Sequence, residues 1–461
     1  MVYEGATIVV KIIGIISLLL IAVNCNTTEP PISAKSISLT FEDVSSTEVW
    51  INLVTNNLQL PASLTRTIST GTDHYDKTIN LGNQDTLLNI RNLQPNTNYV
   101  IRVYTNWGDQ NGLYPVSSNE LLVTTLDTTS HNFTWQTFEF GDHSSSVLYD
   151  VAIIDENNIW AVGKFYLNDS LGNPDTDNYN ALHWDGTNWE PLRIPFTGSC
   201  SAVIYPIIRS VFAFSDNDIW FARGGSLVHY DGINYFNDCE MNSLLTGSIN
   251  TIWGRSSSDL YIAGLIGNIV HYNGQNWQRI ESGTDINLTD IFGTPDGLTV
   301  WTCGWDNNHT NNIILNVENN STEIIWDGIT QGQGYLPPIL INTLWTSGGE
   351  FLLAGGLVVY KHSLLYRERP AYIVHIPTET GSKAFEPGNF VWRMRGTGKN
   401  NIFLAGDLGM LWHFNGASWY KYDEFYNQQF DRRFRSIDVK NNIVAAVGWK
   451  NSRVWVVLGE K

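Results

Sequence analysis

The stretch ENNIWAVG at residues 156–163 decides the fold, because it returns six more times before the chain ends. Each copy joins a turn of Asn, Asp, Ser or Gly to a run of strand-forming residues, and all but one end in glycine. The other copies are DNDIWFAR (216–223), SSDLYIAG (257–264), GLTVWTCG (297–304), GGEFLLAG (348–355), KNNIFLAG (399–406) and KNNIVAAVG (440–448). Their last residues lie about 40 to 60 residues apart, so the region is a repeat protein with one structural unit per copy.

Each copy has further strands on both sides of this core. A first strand precedes the turn: YDVAII (149–154), RSVFAF (209–214), NTIWGR (250–255), TDIFGT (289–294), NTLWTS (342–347), WRMRGT (392–397) and RSIDVK (435–440). After the core come ALHWDGTNW (181–189), LVHYDGINY (227–235), IVHYNGQNW (269–277) and LWHFNGASW (411–419). Their Asp-Gly or Asn-Gly pairs are the strongest short signal of a β-hairpin. Four antiparallel strands per copy predict a seven-bladed β-propeller over residues 133–461.

The two ends of this region predict how the ring closes. The last copy stops after its third strand, SRVWVVLG (452–459), and FTWQTFEF (133–140) belongs to no copy. If residues 133–140 form the outer strand of the seventh blade, neither sheet edge is left open. We therefore predict that they pair with the strand at residues 453–458.

The repeats resemble bacterial propeller repeats of the form D-x-W-A-V-G … H-Y-D-G-x-x-W, which are related to kelch-like and BNR-like repeats. They lack the GH…WD marks of WD40 repeats. The sialidase box S-x-D-x-G-x-T-W is not matched either, because DGTNW (185–189) has no residue between Asp and Gly. This resemblance implies a propeller and no particular activity.

Residues 36–127 form a separate module of alternating strands, beginning with SISLTFEDV (36–44) and EVWINLVTN (48–56). Leu93, Pro95, Thr97 and Tyr99 resemble the L-x-P-x-T-x-Y signature of fibronectin type III domains. The resemblance implies a β-sandwich in which the Tyr99 hydroxyl bonds to nearby backbone. It also implies that Trp50 is the core tryptophan. We expect this module to act as a spacer, joined to the propeller by DTTSHN (127–132).

The N-terminus has the composition of an export signal. Lys11 precedes an apolar run over residues 12–23, which is shorter than a membrane span and ends at Asn24-Cys25. LLLIAVNC (18–25) resembles the lipobox of bacterial lipoproteins, which implies a signal peptide at 1–24, a lipid on Cys25 and a tether over 25–35. Asn24 departs from the usual small residue. Cleavage elsewhere, or an uncleaved anchor, stays open, and each alternative still exports the chain.

Composition supports an all-β protein and argues against one class of partner. The 461 residues include 18 Trp, 20 Tyr and 19 Phe, whereas only 16% are charged. The formal net charge of −18 repels phosphate backbones, so we expect no nucleic acid partner.

The four cysteines match no zinc spacing. Cys200 and Cys239 lie in consecutive connections between blades, where an oxidising compartment permits a disulfide; whether they bond stays open. Cys303 lies within a strand and is expected to be a buried apolar residue.

Three groups of residues are candidate sites. The histidines at equivalent positions of four repeats (His183, His229, His271 and His413) are expected to be structural, because equivalent positions lie far apart around a ring. Asp175, Asp177 and Asn180 crowd oxygen atoms in the long loop of blade one, and the alternatives are a calcium site or a solvated acidic loop. Tyr366, Arg367, Arg369, Tyr372 and His375 lie in an irregular connection, where binding residues often occur.

No catalytic set stands out, since GxSxG, HExxH and Walker sequences are absent. We therefore expect no catalytic residues, and no cofactor other than the calcium considered above. The leading hypothesis is an exported, lipid-anchored, non-enzymatic protein whose propeller face binds a protein or glycan of the cell envelope. The alternatives are a carbohydrate-active enzyme with paired carboxylates in the central funnel, or a structural subunit of an envelope complex.

Overall fold

The computed structural model describes residues 34–108, 115–142, 145–169, 171–173, 175, 177–198, 202–238, 241–294, 299–329, 340–347, 350–355, 358–363 and 387–461. Within these ranges the chain is all-β, as predicted, with one short helix, α1 (Met241–Leu244). No helix in the described part of the chain has both the length and the apolar character needed to cross a membrane.

The N-terminal strands form two sheets. They are β1 (Ser36–Val44), β2 (Val49–Asn56), β3 (Ala62–Thr70), β4 (Asp73–Leu81), β5 (Asp85–Ile90), β6 (Asn98–Gly108), β7 (Pro115–Ser117) and β8 (Leu121–Thr124). One sheet has the order β1-β2-β5, and the other has the order β4-β3-β6-β7 with β8 also paired to β6. Alternate side chains of both sheets, such as Ile51 and Ile101, enter one shared apolar core.

Two aromatic residues of this sandwich were assigned roles from sequence. The prediction for Tyr99 is confirmed: its hydroxyl accepts a hydrogen bond of 2.8 Å from the Gln94 backbone N–H. The prediction that Trp50 is the core tryptophan is wrong. Val49 and Ile51 point into the core, so Trp50 between them lies on the other face of β2. There it is buried, with Lys399 of the propeller 5.1 Å from its ring centroid.

The described residues after the linker form one separate two-stranded sheet and seven larger sheets, one for each sequence repeat, which we number as blades one to seven. Blade one is β10 (Val147–Asp155), β11 (Asn158–Phe165), β12 (Tyr179–Trp184) and β13 (Trp189–Leu192). Blade two is β16 (Ser210–Ser215), β17 (Asp218–Arg223), β18 (Ser226–Tyr230) and β19 (Tyr235–Asp238), after the hairpin β14 (Phe196–Gly198) and β15 (Ala202–Ile204). Blade three is β20 (Ile249–Ser256), β21 (Asp259–Gly264), β22 (Ile269–Tyr272) and β23 (Trp277–Ile280).

The remaining blades follow the same order from axis to rim. Blade four is β24 (Asn287–Gly293), β25 (Val300–Trp305), β26 (Asn312–Glu318) and β27 (Ser321–Asp327). The described strands of blade five are β28 (Thr343–Ser347), β29 (Glu350–Gly355) and β30 (Val358–Ser363). Blade six is β31 (Val391–Gly398), β32 (Asn401–Gly406), β33 (Leu411–Phe414) and β34 (Trp419–Lys421). Blade seven is β35 (Arg432–Lys440), β36 (Ile443–Lys450), β37 (Arg453–Glu460) and β9 (Thr134–Phe140).

The blades form a closed ring. Their innermost strands contact one another in sequence, and β35 of blade seven contacts β10 of blade one. The apolar core is divided in the same way, with one buried cluster between each pair of neighbouring blades. Because every blade buries both faces against its neighbours, the ring is stable only when it is complete.

The predicted closure of the ring is confirmed. Strand β9 pairs antiparallel with β37 along its whole length, from Phe140 opposite Val454 to Thr134 opposite Glu460. Phe138 of β9 packs against Trp184 of blade one, with ring centroids 5.5 Å apart. Residues from the two ends of the propeller therefore share one sheet.

The repeated glycine makes room for a distortion of the inner strand. In blades one, three, four, six and seven, the register of the inner strand against its partner shifts by one residue near its start. The glycine lies opposite this β-bulge: a Cβ on Gly163 would be 2.1 Å from the Val147 carbonyl oxygen, and one on Gly448 would be 1.9 Å from that of Arg433. The glycine therefore lets the inner strand bulge.

A methyl group at this position should be costly. We expect Gly448→Ala to lower the free energy of unfolding by about 2 kcal/mol, because backbone atoms must move to accept the new Cβ. Urea unfolding followed by tryptophan fluorescence measures this change. Gly82→Ala is the control, since no heavy atom lies within 4 Å of a Cβ built there. Equal stability of the two variants would contradict the close-approach explanation.

The sandwich is attached to one face of the ring. We call the face where the inner strands begin the front face, and the opposite face, which carries the β31–β32 turn, the back face. Lys399 in that turn forms a salt bridge with Asp43 of the sandwich. Asn400 donates a 2.9 Å hydrogen bond from its side chain to the Asp127 carbonyl oxygen, and the Thr129 N–H donates to the Asn415 carbonyl oxygen at 3.1 Å. The sandwich therefore contacts the back face at blade six.

Candidate functional site

One residue of each blade, at the start of its inner strand, contributes to a circle at the front end of the channel. We call this circle the front ring; its members are Tyr149, Arg209, Asn250, Thr289, Asn342, Trp392 and Arg435. In five blades the member is the residue left without an opposite partner by the register shift. Contacts between members join neighbouring blades, as where the Thr289 hydroxyl donates to the Asn342 carbonyl oxygen at 2.9 Å.

One half of the front ring alternates aromatic and guanidinium groups. Around blades six, seven, one and two the order is Trp392, Arg435, Tyr149, Arg209, and we call these four residues the arginine–aromatic arc. The Arg209 Cζ atom lies 4.0 Å from the Tyr149 ring centroid. The Arg435 Cζ atom lies 4.2 Å from the Trp392 centroid and 5.9 Å from that of Tyr149. Such stacking holds the guanidinium planes in place.

A third arginine beside the arc is neutralised. Arg433 forms a salt bridge with Asp407, and its Cζ atom lies 5.0 Å from the Trp392 ring centroid. Asp407 also accepts a 2.7 Å hydrogen bond from Trp392 Nε1. This pairing fixes the indole against which Arg435 stacks, so Arg433 and Asp407 orient the arc without contributing net charge.

The two arginines of the arc have no such counter-ion. Within the described ranges, no carboxylate forms a salt bridge with Arg209 or Arg435, and the buried Arg435 Nε has no hydrogen-bond partner. Burial lowers the pKa of Arg435 to about 10, and Arg433 and Arg209 act in the same direction. A pKa of about 10 keeps Arg435 protonated at neutral pH. The arc is therefore a patch of uncompensated positive charge on a protein of net charge −18.

The residues just below the front ring clamp the blades together. Asp150 accepts 2.7 Å hydrogen bonds from the hydroxyl groups of Ser210 and Ser436, in the two neighbouring blades. Asp290 is fully buried and forms ion pairs with Arg393 and Arg395. Burial acts to raise the pKa of Asp290, but the two arginines outweigh it and the pKa lies below its ordinary value. These carboxylates are engaged in structural contacts.

One carboxyl group deeper in the channel has a pKa above its ordinary value. Burial raises the pKa of Asp438, against the effect of its hydrogen bonds from the Ile153 and Val439 backbone N–H groups. A glycosidase needs two carboxyl groups free to act on substrate. Both oxygens of Asp438 accept hydrogen bonds from backbone, so its contacts also describe a structural role.

The structural role predicted for the repeated histidines agrees with their contacts. The Nε2 of each donates to the side-chain oxygen of the Asn or Asp that begins the second strand of its blade, as in His229 to Asp218 at 2.9 Å. Each ring also lies against the aromatic residue two positions further along that strand, as His229 lies against Trp220 at 4.2 Å. His413 is further enclosed by His131 of the linker, and burial lowers its pKa to about 3.

The residues considered for calcium have protein partners. Asp175 forms a 2.5 Å salt bridge with Arg193, and Asn180 is fully buried with its amide bonded to backbone at Ile194 and Pro206. The Asp177 N–H donates to Asp175. No cluster of three or more acidic, His or Cys side chains suited to a metal occurs in the described part of the chain. Calcium binding at this loop stays a prediction.

Several predicted residues lie outside the described ranges: Cys25, Cys200, Cys239, Tyr366, Arg367, Arg369, Tyr372 and His375. Lipidation, the disulfide and binding through the irregular connection stay predictions. Cys303 is described, and it is a buried free cysteine as expected.

Two rim cavities are alternative binding sites. One, of about 580 Å³ beside blade four, is lined by acidic residues including Glu281, Asp285 and Asp327. The other, of about 540 Å³ between blades two and three, is lined by aromatic residues including Phe236 and Trp277. Neither concentrates charge opposite to that of the whole protein.

One column of the sequence repeats corresponds to the arc. The front-ring residue is the first letter of every first-strand copy, from YDVAII to RSIDVK. At this first position, the seven copies include two arginines and two aromatic residues. The sequence alone does not show which way the side chain at this position points. The β-bulges of five blades turn it toward the channel and away from the neighbouring core.

Comparisons with known proteins add little about function. No protein-family model and no curated protein matches the chain, whereas 34 chains of solved structures do. The WD40 β-propeller domain of Doa1 aligns with 71% of this chain and 97% of its own, at 10% identity and a TM-score of 0.47. The chicken CNTN1 FN1–FN3 domains align with 53% of this chain and 95% of their own, at 12% identity and a TM-score of 0.16. The description of this chain as a propeller therefore depends on its own sheet topology.

Proposed function

We propose that this chain is an exported, lipid-anchored, non-enzymatic binding protein that presents the front face of its propeller to a partner in the cell envelope. Cys25 carries the lipid, the fibronectin type III-like sandwich is the spacer, and the propeller is the binding domain. The observation that carries the proposal is the position of the sandwich on the back face, opposite the arginine–aromatic arc.

Strand β31 connects the two faces. Trp392 of the arc lies near its start, and Lys399, which pairs with the sandwich, follows its end. Seven residues of extended chain span about 23 Å. An anchor that precedes the sandwich therefore leaves the arc free to meet a partner.

The sandwich topology supports its assignment as a fibronectin type III-like module. The order β1-β2-β5 against β4-β3-β6 and the Tyr99 hydrogen bond are features of that fold. The salt bridge between Asp43 and Lys399 and the burial of Trp50 beneath Lys399 give the spacer a defined angle on the propeller.

The alternative of a carbohydrate-active enzyme needs free carboxyl groups in the channel, whereas Asp150, Asp290 and Asp438, which the structure describes there, all accept structural hydrogen bonds.

Photo-cross-linking in intact cells tests the proposal. Benzoylphenylalanine is placed in the full chain at Asp285, an exposed residue that leads into an inner strand on the front face. The matched position is Ile233, which is 83% exposed in a hairpin turn on the back face. We expect a discrete cross-linked product from Asp285 and none from Ile233.

A product from Ile233 alone would contradict front-face binding. The Cys25→Ser chain supplies the second readout: the original chain should incorporate radiolabelled fatty acid, and the Cys25→Ser chain should not. Equal labelling of the two chains, or no labelling of either, would contradict lipid anchoring at Cys25.

A further inference from the structure

We infer that the arginine–aromatic arc binds the carboxylate groups of an acidic peptide segment of the partner. This inference rests on the proposed front-face binding and specifies its chemistry. It is carried by the two unpaired guanidinium groups, by the rings that hold them, and by the charge of the rest of the protein.

The arc suits an anion because aromatic rings hold its two guanidinium groups in place and no described carboxylate forms a salt bridge with them. Arg209 stacks on Tyr149 and Arg435 stacks on Trp392. A guanidinium held over a ring face by cation–π attraction keeps the N–H groups that point away from the ring available for a partner. Planar carboxylates accept two such N–H groups at once, which makes these pairs strong and directional.

In the free molecule, the surroundings of Arg435 are energetically unfavourable. Arg435 has a buried Nε without a partner, and Arg433 and Arg209 are like charges beside it. A bound carboxylate offsets the repulsion between the arginines, and it accepts hydrogen bonds from those guanidinium N–H groups that solvent can reach. Asp407 offsets this repulsion only in part, because it is already paired with Arg433 and Trp392 and forms no salt bridge with Arg435.

The stacking also distinguishes a peptide from a sugar. Sugars bind on open aromatic faces, but here each ring has a guanidinium on one face, and Trp392 has both Arg433 and Arg435 close to it. The aromatic rim cavity with Phe236 and Trp277 is the better place for a neutral sugar. Recognition at the arc therefore depends on charge.

The charge of the whole protein makes the arc selective. A net charge of −18 repels an acidic ligand everywhere except where positive charge is concentrated. An acidic segment is thus steered to the arc, and the interaction should weaken as salt screens it. Two arginines on neighbouring sides of Tyr149 suit a segment with at least two carboxylates.

Calorimetric titration of the full chain in detergent with acetyl-pentaglutamate-amide tests the inference. We expect saturable binding that weakens at 0.5 M salt, and no binding of acetyl-pentaglutamine-amide. Arg209→Gln and Arg435→Gln should each lower the affinity about tenfold, the effect of losing one close charge pair. Arg255→Gln is the matched control and should change the affinity less than twofold, because Arg255 pairs with Asp259 near the back face.

Three outcomes would overturn the inference: equal binding of the glutamine peptide, equal weakening by Arg255→Gln, or binding of trigalacturonate without binding of pentaglutamate. Arg209 is exposed, so its variant tests the site without disturbing the core.

A front-face cross-link at Asp285 without peptide binding would refute this chemistry and leave the proposed function standing. If the full chain binds the peptide but Asp285 gives no cross-linked product in cells, the proposed function is refuted instead.

Discussion

Replacing residues 134–140 by seven Gly and Ser residues should turn this protein into an aggregation-prone one with a much lower unfolding midpoint. The replacement removes β9 from the outer edge of blade seven and exposes the hydrogen-bonding groups of β37. It also removes Trp135 and Phe138, which pack against Tyr422 and Trp184. From the partly buried aromatic area alone, we expect a loss of about 4 to 6 kcal/mol.

Light scattering during thermal unfolding measures this effect. A synthetic peptide TWQTFEF added in trans should raise the midpoint again, whereas a scrambled peptide of the same composition should not. If the replaced chain stays monomeric and melts like the original, the pairing of β9 with β37 does not close the ring.

Asp290→Asn should be the most damaging conservative substitution in the channel. The side chain is fully buried, and its oxygens accept hydrogen bonds from Thr343 and Arg395 and pair with Arg393. An amide of the same size leaves two buried guanidinium groups without a counter-ion. Breaking a buried ion pair in this way costs about 3 to 5 kcal/mol.

Urea unfolding of the full chain measures the loss. Asp285→Asn is the matched control, since Asp285 lies five residues earlier on the exposed surface, and its stability should change by less than about 0.5 kcal/mol. Adding Arg393→Met to Asp290→Asn should recover part of the loss, because one unpaired charge is removed. Equal stability of the two single variants would show that the cluster does not hold blades four, five and six together.

Much of the fold follows from local sequence. The spacing of glycine and the Asp-Gly or Asn-Gly hairpins identified seven blades because each blade repeats the same short-range chemistry. The orphan strand at residues 133–140 revealed the closure, since an unpaired edge is unfavourable. The sandwich was recognised from one corner motif, and the Tyr99 hydrogen bond has the expected form.

Trp50 shows where such reasoning fails. The resemblance to fibronectin type III domains predicts that it is a core residue, but strand alternation places it on the opposite face of β2, where Lys399 covers it. Lys399 is about 350 residues further along the chain. No local pattern reports a contact between two modules, because each module satisfies its own periodicity without it.

The sequence by itself determined the class of the protein, the number of its blades and the strand that closes them, because these depend on repeated interactions between near neighbours. Only the tertiary structure decided which face carries the sandwich and which residues meet at the channel. Trp392, Arg435, Tyr149 and Arg209 come from four blades, and a β-bulge in three of them turns a residue from the regular strand alternation to the axis. Side chains so far apart in sequence become one site only when the ring closes.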